Sequence, residues 1–143
     1  MDDRRRVQRV GAYGLVFDDA GRLLLCRLSP EGEKGSRWTL PGGGIDFGEM
    51  PADGARREVF EETGLRVELG DVVMVSGEVA DYPDAVFHHV WIVYAAKAVG
   101  GKLTPEVGGS TDLCAWFTAE ELIDLPKVSL VEATLAAMAA RRR

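Results

Sequence analysis

Three carboxylates, Glu58, Glu61 and Glu62, stand within little more than one helical turn in the stretch PGGGIDFGEMPADGARREVFEETGL, residues 41–65. At ~100° per residue they fall inside an arc of about 100°. A helix face built for solubility alternates its charges, and Asp53–Arg57 and Arg57–Glu61 are opposite-charge pairs of that kind at i,i+4. Glu58 and Glu62, however, form a pair of like sign at the same spacing, which costs helix stability. The cluster calls for a neutralising group, and the natural one is Mg²⁺, a hard cation that takes oxygen ligands and bridges carboxylates to phosphates. The glycine run before the helix suits such a site, because without Cβ atoms a backbone can approach a ligand closely and adopt positive φ. Taken alone, the same run also fits a tight turn.

The elements that must position these residues are legible in outline. A helix is expected over residues 52–63, with Pro51 in its first turn and Gly64 as its stop. Upstream, residues 9–17 (RVGAYGLVF) and 22–28 (RLLLCRL) are apolar runs joined by DDAG, turn chemistry that predicts a hairpin. SPEGEKGS, residues 29–36, reads as a polar loop, and 37–40 as a short strand. Two longer strands are expected over 66–79 and 86–99, the second rich in β-branched and aromatic residues, and another over 113–117. Thr118 and Glu121 make a capping box for a short helix reaching Leu125, and a last helix is expected over 129–140. Strands interleaved with a few helices, without repeats or low-complexity tracts, imply an α/β (α+β) fold over 1–143 as one domain, a mixed sheet covered by helices.

Composition narrows the function classes. The 143 residues are 46% hydrophobic and 28% charged, with a net charge of −6, which is ordinary for a globular chain. The acidic balance argues against a nucleic-acid polymer as partner, because such binding needs a basic footprint. Arginines cluster at both ends (Arg4, Arg5, Arg6 and Arg141, Arg142, Arg143) and read as solvated, mobile termini. Cys26 and Cys114 sit in apolar runs far apart in sequence and read as buried free thiols. Neither a signal-peptide core nor an apolar run approaching the ~18 residues of a membrane span is present, so no membrane role is expected and a cytoplasmic location is the default.

The spacing is more specific than its parts. From Gly43 the chain reads glycine, five residues, Glu49, seven residues, Arg57, Glu58, Val59, Phe60, Glu61, Glu62, Thr63, Gly64, Leu65. This resembles the Nudix box in every fixed position, and the flanking order of elements is similar to that family's α/β/α sandwich, with a mixed β-sheet between helices. The resemblance implies a hydrolase that cleaves the diphosphate linkage of a nucleoside diphosphate joined to another group X, with Mg²⁺ or Mn²⁺. It also implies that Glu58, Glu61 and Glu62 hold the metal, that the carbonyl oxygen of Gly42 adds a ligand, and that Arg57 pairs with Glu49 to keep loop and helix in register. Gly43, Glu49, Arg57 and Gly64 are then the structural positions of the box. Two features depart from the pattern: Met50 stands where Ser or Thr is common, and Gly54 lies inside the helix, at a cost of about 1 kcal/mol relative to Ala.

Water attacking phosphorus needs a base, and Glu58 or Glu61 is the candidate within the box. Some members of the family place it on a late loop, where Asp112 and Glu106 could serve; Asp112 also reads as a turn residue before a strand. Arg27 ends a strand and is a candidate for a substrate phosphate, or equally a surface arginine. His88 and His89 should point to opposite faces of a strand, one of them buried. Trp38 and Trp116 read as core. The substrate class expected first is an ADP-ribose-like or nucleotide-sugar diphosphate. Alternatives are a nucleoside triphosphate pyrophosphohydrolase of the mutator type and a non-catalytic nucleotide-binding module, although the latter commonly lacks box carboxylates that are all present here. A homodimer is left open, and Tyr82 beside Pro83 does not separate the subfamilies.

Overall fold

Asp18 organises the DDAG turn, its carboxylate accepting the amides of Ala20 at 3.0 Å and Arg22 at 2.8 Å, with Gly21 at φ 80°. The hairpin expected there only begins. In the computed structural model, which describes residues 1–29 and 36–141, β1 (Arg5–Val16) and β2 (Leu23–Leu28) touch through the Phe17–Leu23 bridge and then part into different sheets. Both strands are buried on two faces at their inner ends, so each must feed two cores at once. Leu15, Leu23 and Leu25 enter one apolar cluster, while Val16, Leu24 and Cys26 enter the other. The expected loop 29–36 lies mostly outside the described residues, as do Arg142 and Arg143.

The remaining elements are β3 (Trp38–Thr39), β4 (Gly42–Gly44), α1 (Pro51–Thr63), β5 (Leu65–Asp81), β6 (Ala85–Gly101), β7 (Thr111–Phe117), α2 (Glu121–Asp124) and α3 (Ser129–Arg141). One sheet runs β4-β1-β6-β5, with β1 parallel to β6 and the other pairs antiparallel. The second, β3-β2-β7, is antiparallel throughout. Helix α1 contributes Val59 to the cluster of Val16, Leu65 and Val67, and α3 contributes Leu130 and Val131 to the cluster of Leu15, Trp91 and Val93. The mixed sheet between helices is therefore present, with a second small sheet beside it. Trp38 and Trp116 pack against the two clusters, as expected of core residues.

Several local expectations are corrected. The glycine run is a strand: β4 pairs antiparallel with Gly11, Ala12 and Tyr13 of β1. Arg5 and Arg6 are not a mobile end, because β1 already pairs there with Ala85 and Val86, and Arg4 bonds Asp2 and Asp81. Asp53 pairs with Arg56 at 2.7 Å rather than with Arg57. The capping box is as expected: Thr118 N–H donates to Glu121 Oε1 at 2.9 Å and Glu121 N–H to Thr118 Oγ1 at 3.2 Å. Among the described residues no helix is long and apolar enough to cross a membrane.

Helix α1 starts without a side-chain cap at Met50 and ends at Gly64, whose φ of 76° places it in the left-handed region while its N–H bonds Phe60 O at 2.8 Å. Gly54, which propensity alone marks as a weakness, has a packing reason. A Cβ there would stand 2.7 Å from Ile45 Cγ2 and 2.9 Å from Glu49 Oε1, so the missing side chain lets the preceding loop lie on the helix. Gly54→Ala should consequently lower stability by about 1 kcal/mol, where an open helix site would gain that amount. Urea unfolding of the two proteins checks the sign; a clear gain in midpoint would show that the loop yields freely.

Candidate active site

The glycine strand and the acidic helix are built to meet. Gly42 has φ 144°, and a Cβ on it would lie 2.4 Å from Ala12 O, so only glycine permits this approach to β1. The approach lets the Gly42 amide donate to Glu62 Oε2 at 3.0 Å. Next to it, the Cα of Gly43 faces the Glu58 carboxyl so closely that a Cβ would lie 3.0 Å from it. The strand thus bears on two of the three helix carboxylates.

Those carboxylates differ although they share a helix face. Glu62 is 4% exposed, and burial, opposed by the Gly42 bond and reinforced by Glu58, pushes its carboxyl up to about 8. Glu58 is also raised, first by burial, with Arg57 pulling the other way. The Glu61 side chain is half exposed. Glu106, on the β6–β7 loop, adds a small unfavourable charge effect at both Glu58 and Glu62. Tyr13 lies near the same charges, and burial followed by Glu62 and Glu58 raises its phenol to about 12.

Arg57 is the hub. Its Nε and Nη2 bond Glu49 at 2.8 and 2.9 Å, the two-point pairing expected, and this holds the Glu49 carboxyl down at about 2. Nη1 reaches Glu58 and Glu61, each at 3.2 Å, and Nη2 reaches Gly44 O at 3.4 Å. The guanidinium therefore ties loop, strand and helix together and stands between Glu58 and Glu61. Among the described residues no group of three or more carboxylates, histidines or cysteines is already gathered as a metal cage. The donors are nevertheless all oxygens, and burial holds Glu58 and Glu62 back from ionising without a cation, which is the chemistry a hard divalent cation completes.

Two candidates change meaning. Arg27 and Asp112 are paired with each other, Nε to Oδ1 and Nη2 to Oδ2, both at 3.0 Å. Asp112 lies within β7 rather than in a turn before it, and Arg27 holds its carboxyl below the usual range. A carboxylate so engaged is a poor base, and an arginine so engaged is partly spent as a phosphate ligand. His88 is exposed and bonded to Gln8, while His89 is half-buried and stacked on Phe87 at 5.9 Å, so neither is fully buried. His89 lines a cavity of about 140 Å³ with Tyr13, Trp91, Glu78 and Ser129, residues that come together only through the tertiary fold.

Similar proteins match most of the chain. A MutT-like protein of Streptomyces ambofaciens is 33% identical over 113 residues, covering 79% of this chain and 66% of that protein. A putative 8-oxo-dGTP diphosphatase 3 of Mycobacterium tuberculosis is 33% identical over 127 residues, covering 82% of this chain and 56% of that protein. The chain thus spans from just over half to about two thirds of the length of these relatives. In structure, a MutT NUDIX hydrolase from Burkholderia pseudomallei superposes with TM-score 0.79 at 25% identity, over 91% of this chain and 97% of that one. An ADP-ribose pyrophosphatase from Streptococcus suis does so with TM-score 0.63 at 26% identity, over 94% and 92%. With the family model for the NUDIX domain matching residues 7–138, and the glycine strand, Arg57 hub and acidic helix all in place, the chain belongs to the Nudix family.

Proposed function

We propose that the protein is a Mg²⁺- or Mn²⁺-dependent hydrolase that cleaves a phosphoric anhydride in a small nucleoside diphosphate derivative. The observation that carries this reading is the pair Glu58 and Glu62, both raised by burial and both set against glycines whose missing side chains leave the backbone close. A helix built for stability alone has no need of two neighbouring carboxyls that burial keeps from ionising. Glu58, Glu61, Glu62 and the carbonyl oxygen of Gly42 would hold the metal. Bound there, the ion would neutralise phosphate charge and sharpen the acidity of water.

The chain's own residues divide the remaining work. Glu58, partly buried and raised, is the preferred acceptor for the water proton, with Glu106 the late-loop alternative. Arg57 is a positioning residue that bonds both Glu58 and Glu61, and Glu58 faces Gly43 of the strand. The cavity beside Tyr13, about 140 Å³, is smaller than the ~300–1,000 Å³ of ordinary ligand pockets, so its walls of Trp91, His89, Ser129 and Glu78 would border one part of a nucleotide rather than enclose it. An ADP-ribose-like or nucleotide-sugar substrate and a nucleoside triphosphate both fit this description. The Streptococcus suis ADP-ribose pyrophosphatase favours the first, and the putative 8-oxo-dGTP diphosphatase of Mycobacterium tuberculosis favours the second.

A substrate panel tests the reading: ADP-ribose and UDP-sugars scored by nucleoside monophosphate release, and nucleoside triphosphates by pyrophosphate release, each with Mg²⁺ and with EDTA. Turnover should appear only with metal, and undiminished turnover after thorough chelation would sink the proposal.

Glu62 makes a sharper case. Its folded carboxyl titrates near 8 against an ordinary 4.5, so the folded chain holds a proton that the unfolded chain has lost. The metal-free protein should therefore lose stability as pH rises from about 4.5 through 8. In Glu62→Gln this loss should largely disappear, with apo stability at pH 8 at least equal to wild type. Turnover should still fall on the order of 10²-fold or more. Thermal unfolding in EDTA at pH 5 and pH 8, paired with kinetics in Mg²⁺, reads both halves; reduced apo stability at pH 8 with normal turnover would make Glu62 merely structural.

The late carboxylates separate by substitution. Glu106→Gln should lower kcat by ~10²-fold if it takes the water proton, whereas Asp112→Asn should act mildly and through KM, by loosening Arg27. The reverse order of effects would restore Asp112 as the base.

A further inference from the structure

Cys26 and Cys114 stand directly opposite each other on β2 and β7, with their Sγ atoms 3.0 Å apart. They lie in the second apolar cluster, 0% and 6% exposed. Opposed residues of an antiparallel pair have Cα atoms roughly 4.5–5.5 Å apart, inside the ~4.4–6.8 Å window that a disulfide requires. Closing the gap to ~2.05 Å moves the two sulfurs by about 1 Å in total. Neither thiol takes part in the proposed hydrolysis.

The pair is nonetheless joined to the site. Cys114 Sγ–H donates to the carbonyl oxygen of Glu62 at 3.3 Å. This carbonyl lies in the last turn of α1, where a helix runs out of its own donors, and Arg66, four residues on, is already paired with Gly100 in the sheet. Because Cys114 has a single hydrogen, Cys26 must be the donor in the Sγ–Sγ contact. The order is Cys26 to Cys114 to the Glu62 backbone.

We propose that Cys26 and Cys114 are an oxidative modification site, at which a hydroperoxide converts the pair to a disulfide and removes the donor that holds Glu62 O. Cys114, the thiol with residual exposure, attacks a peroxide oxygen; the O–O bond breaks, Cys114 becomes a sulfenic acid and one water leaves when hydrogen peroxide is the oxidant. The Cys26 sulfur then attacks the Cys114 sulfur, the S–O bond breaks, the S–S bond forms and a second water leaves. The two thiols give up two electrons and two protons, which reduce the peroxide to two waters. Afterwards the Glu62 carbonyl faces a sulfur with no hydrogen to offer, and the turn of α1 that carries Glu62 loses its tether to β7. This last consequence rests on the reading of Glu62 as a site carboxylate, whereas formation of the disulfide does not.

The test uses the reduced full chain, treated with hydrogen peroxide and separately with diamide, then denatured, alkylated and weighed by mass spectrometry. A monomer two hydrogens lighter with no alkylated cysteine is expected, with hydrolysis lowered about tenfold and restored by dithiothreitol. Cys26→Ala cannot close the bond and should keep its activity through diamide; should it fail to fold, the wild-type masses and the recovery with reductant still decide. Two alkylatable thiols persisting under conditions that fully oxidise glutathione would overturn the modification site. A complete disulfide with unchanged hydrolysis would overturn its link to Glu62. Absence of hydrolysis in the reduced protein would instead overturn the proposed function, while the mass measurement would still decide the disulfide.

Discussion

Gly42 gives its amide to a buried carboxylate, Glu62, across the space between a strand and the last turn of a helix. Burial of that carboxylate opposes its ionisation, and the single amide bond only partly offsets the cost. The surrounding features follow from keeping this contact. β4 has to lie flat against β1, which excludes a side chain at Gly42. The helix has to stop at Thr63, one residue beyond Glu62, which Gly64 ensures through its left-handed backbone. The loop between strand and helix has to be pinned, and Arg57 pins it by holding Glu49 from the helix side.

Arg57 also sets a division among the acids. Glu49 is fully paired and stays ionised, Glu61 shares the guanidinium at the surface, and burial works against ionisation of Glu58 and, most strongly, of Glu62. Four glutamates with one side-chain chemistry thus hold three electrostatic positions, set by depth and by distance from one guanidinium. Depth and charge partners are the causes that push carboxyl groups apart at reactive centres.

What the sequence made legible was local. Pro51, Gly64, the Glu49-to-Arg57 spacing and the Thr118–Glu121 box each specify a contact within eight residues, and each is present. What was not legible depended on neighbours distant in the chain. The divergence of β1 and β2 follows from two cores competing for alternate side chains, while the DDAG turn itself is compatible with a full hairpin. The pairing of Arg27 with Asp112 needs the register of β2 on β7, which no periodicity reveals. The contrast between Glu61 and Glu62 requires knowing what covers each, and Gly54 looks like a helix weakness until Ile45 is placed beside it.

The parallel pairing of β1 with β6 has a consequence for how the molecule is made. Arg5 meets Ala85 and Val16 meets Ala96, so the two strands come together only by closing a segment of eighty residues. Closure of so long a loop spends chain entropy before any contact repays it, which slows folding. Helix α1 lies wholly inside that loop, and the ledge for β4 is β1 itself. During synthesis the acidic helix and both strands of its platform, β4 and β1, are therefore made well before β6, the strand that joins β1 to the rest of its sheet.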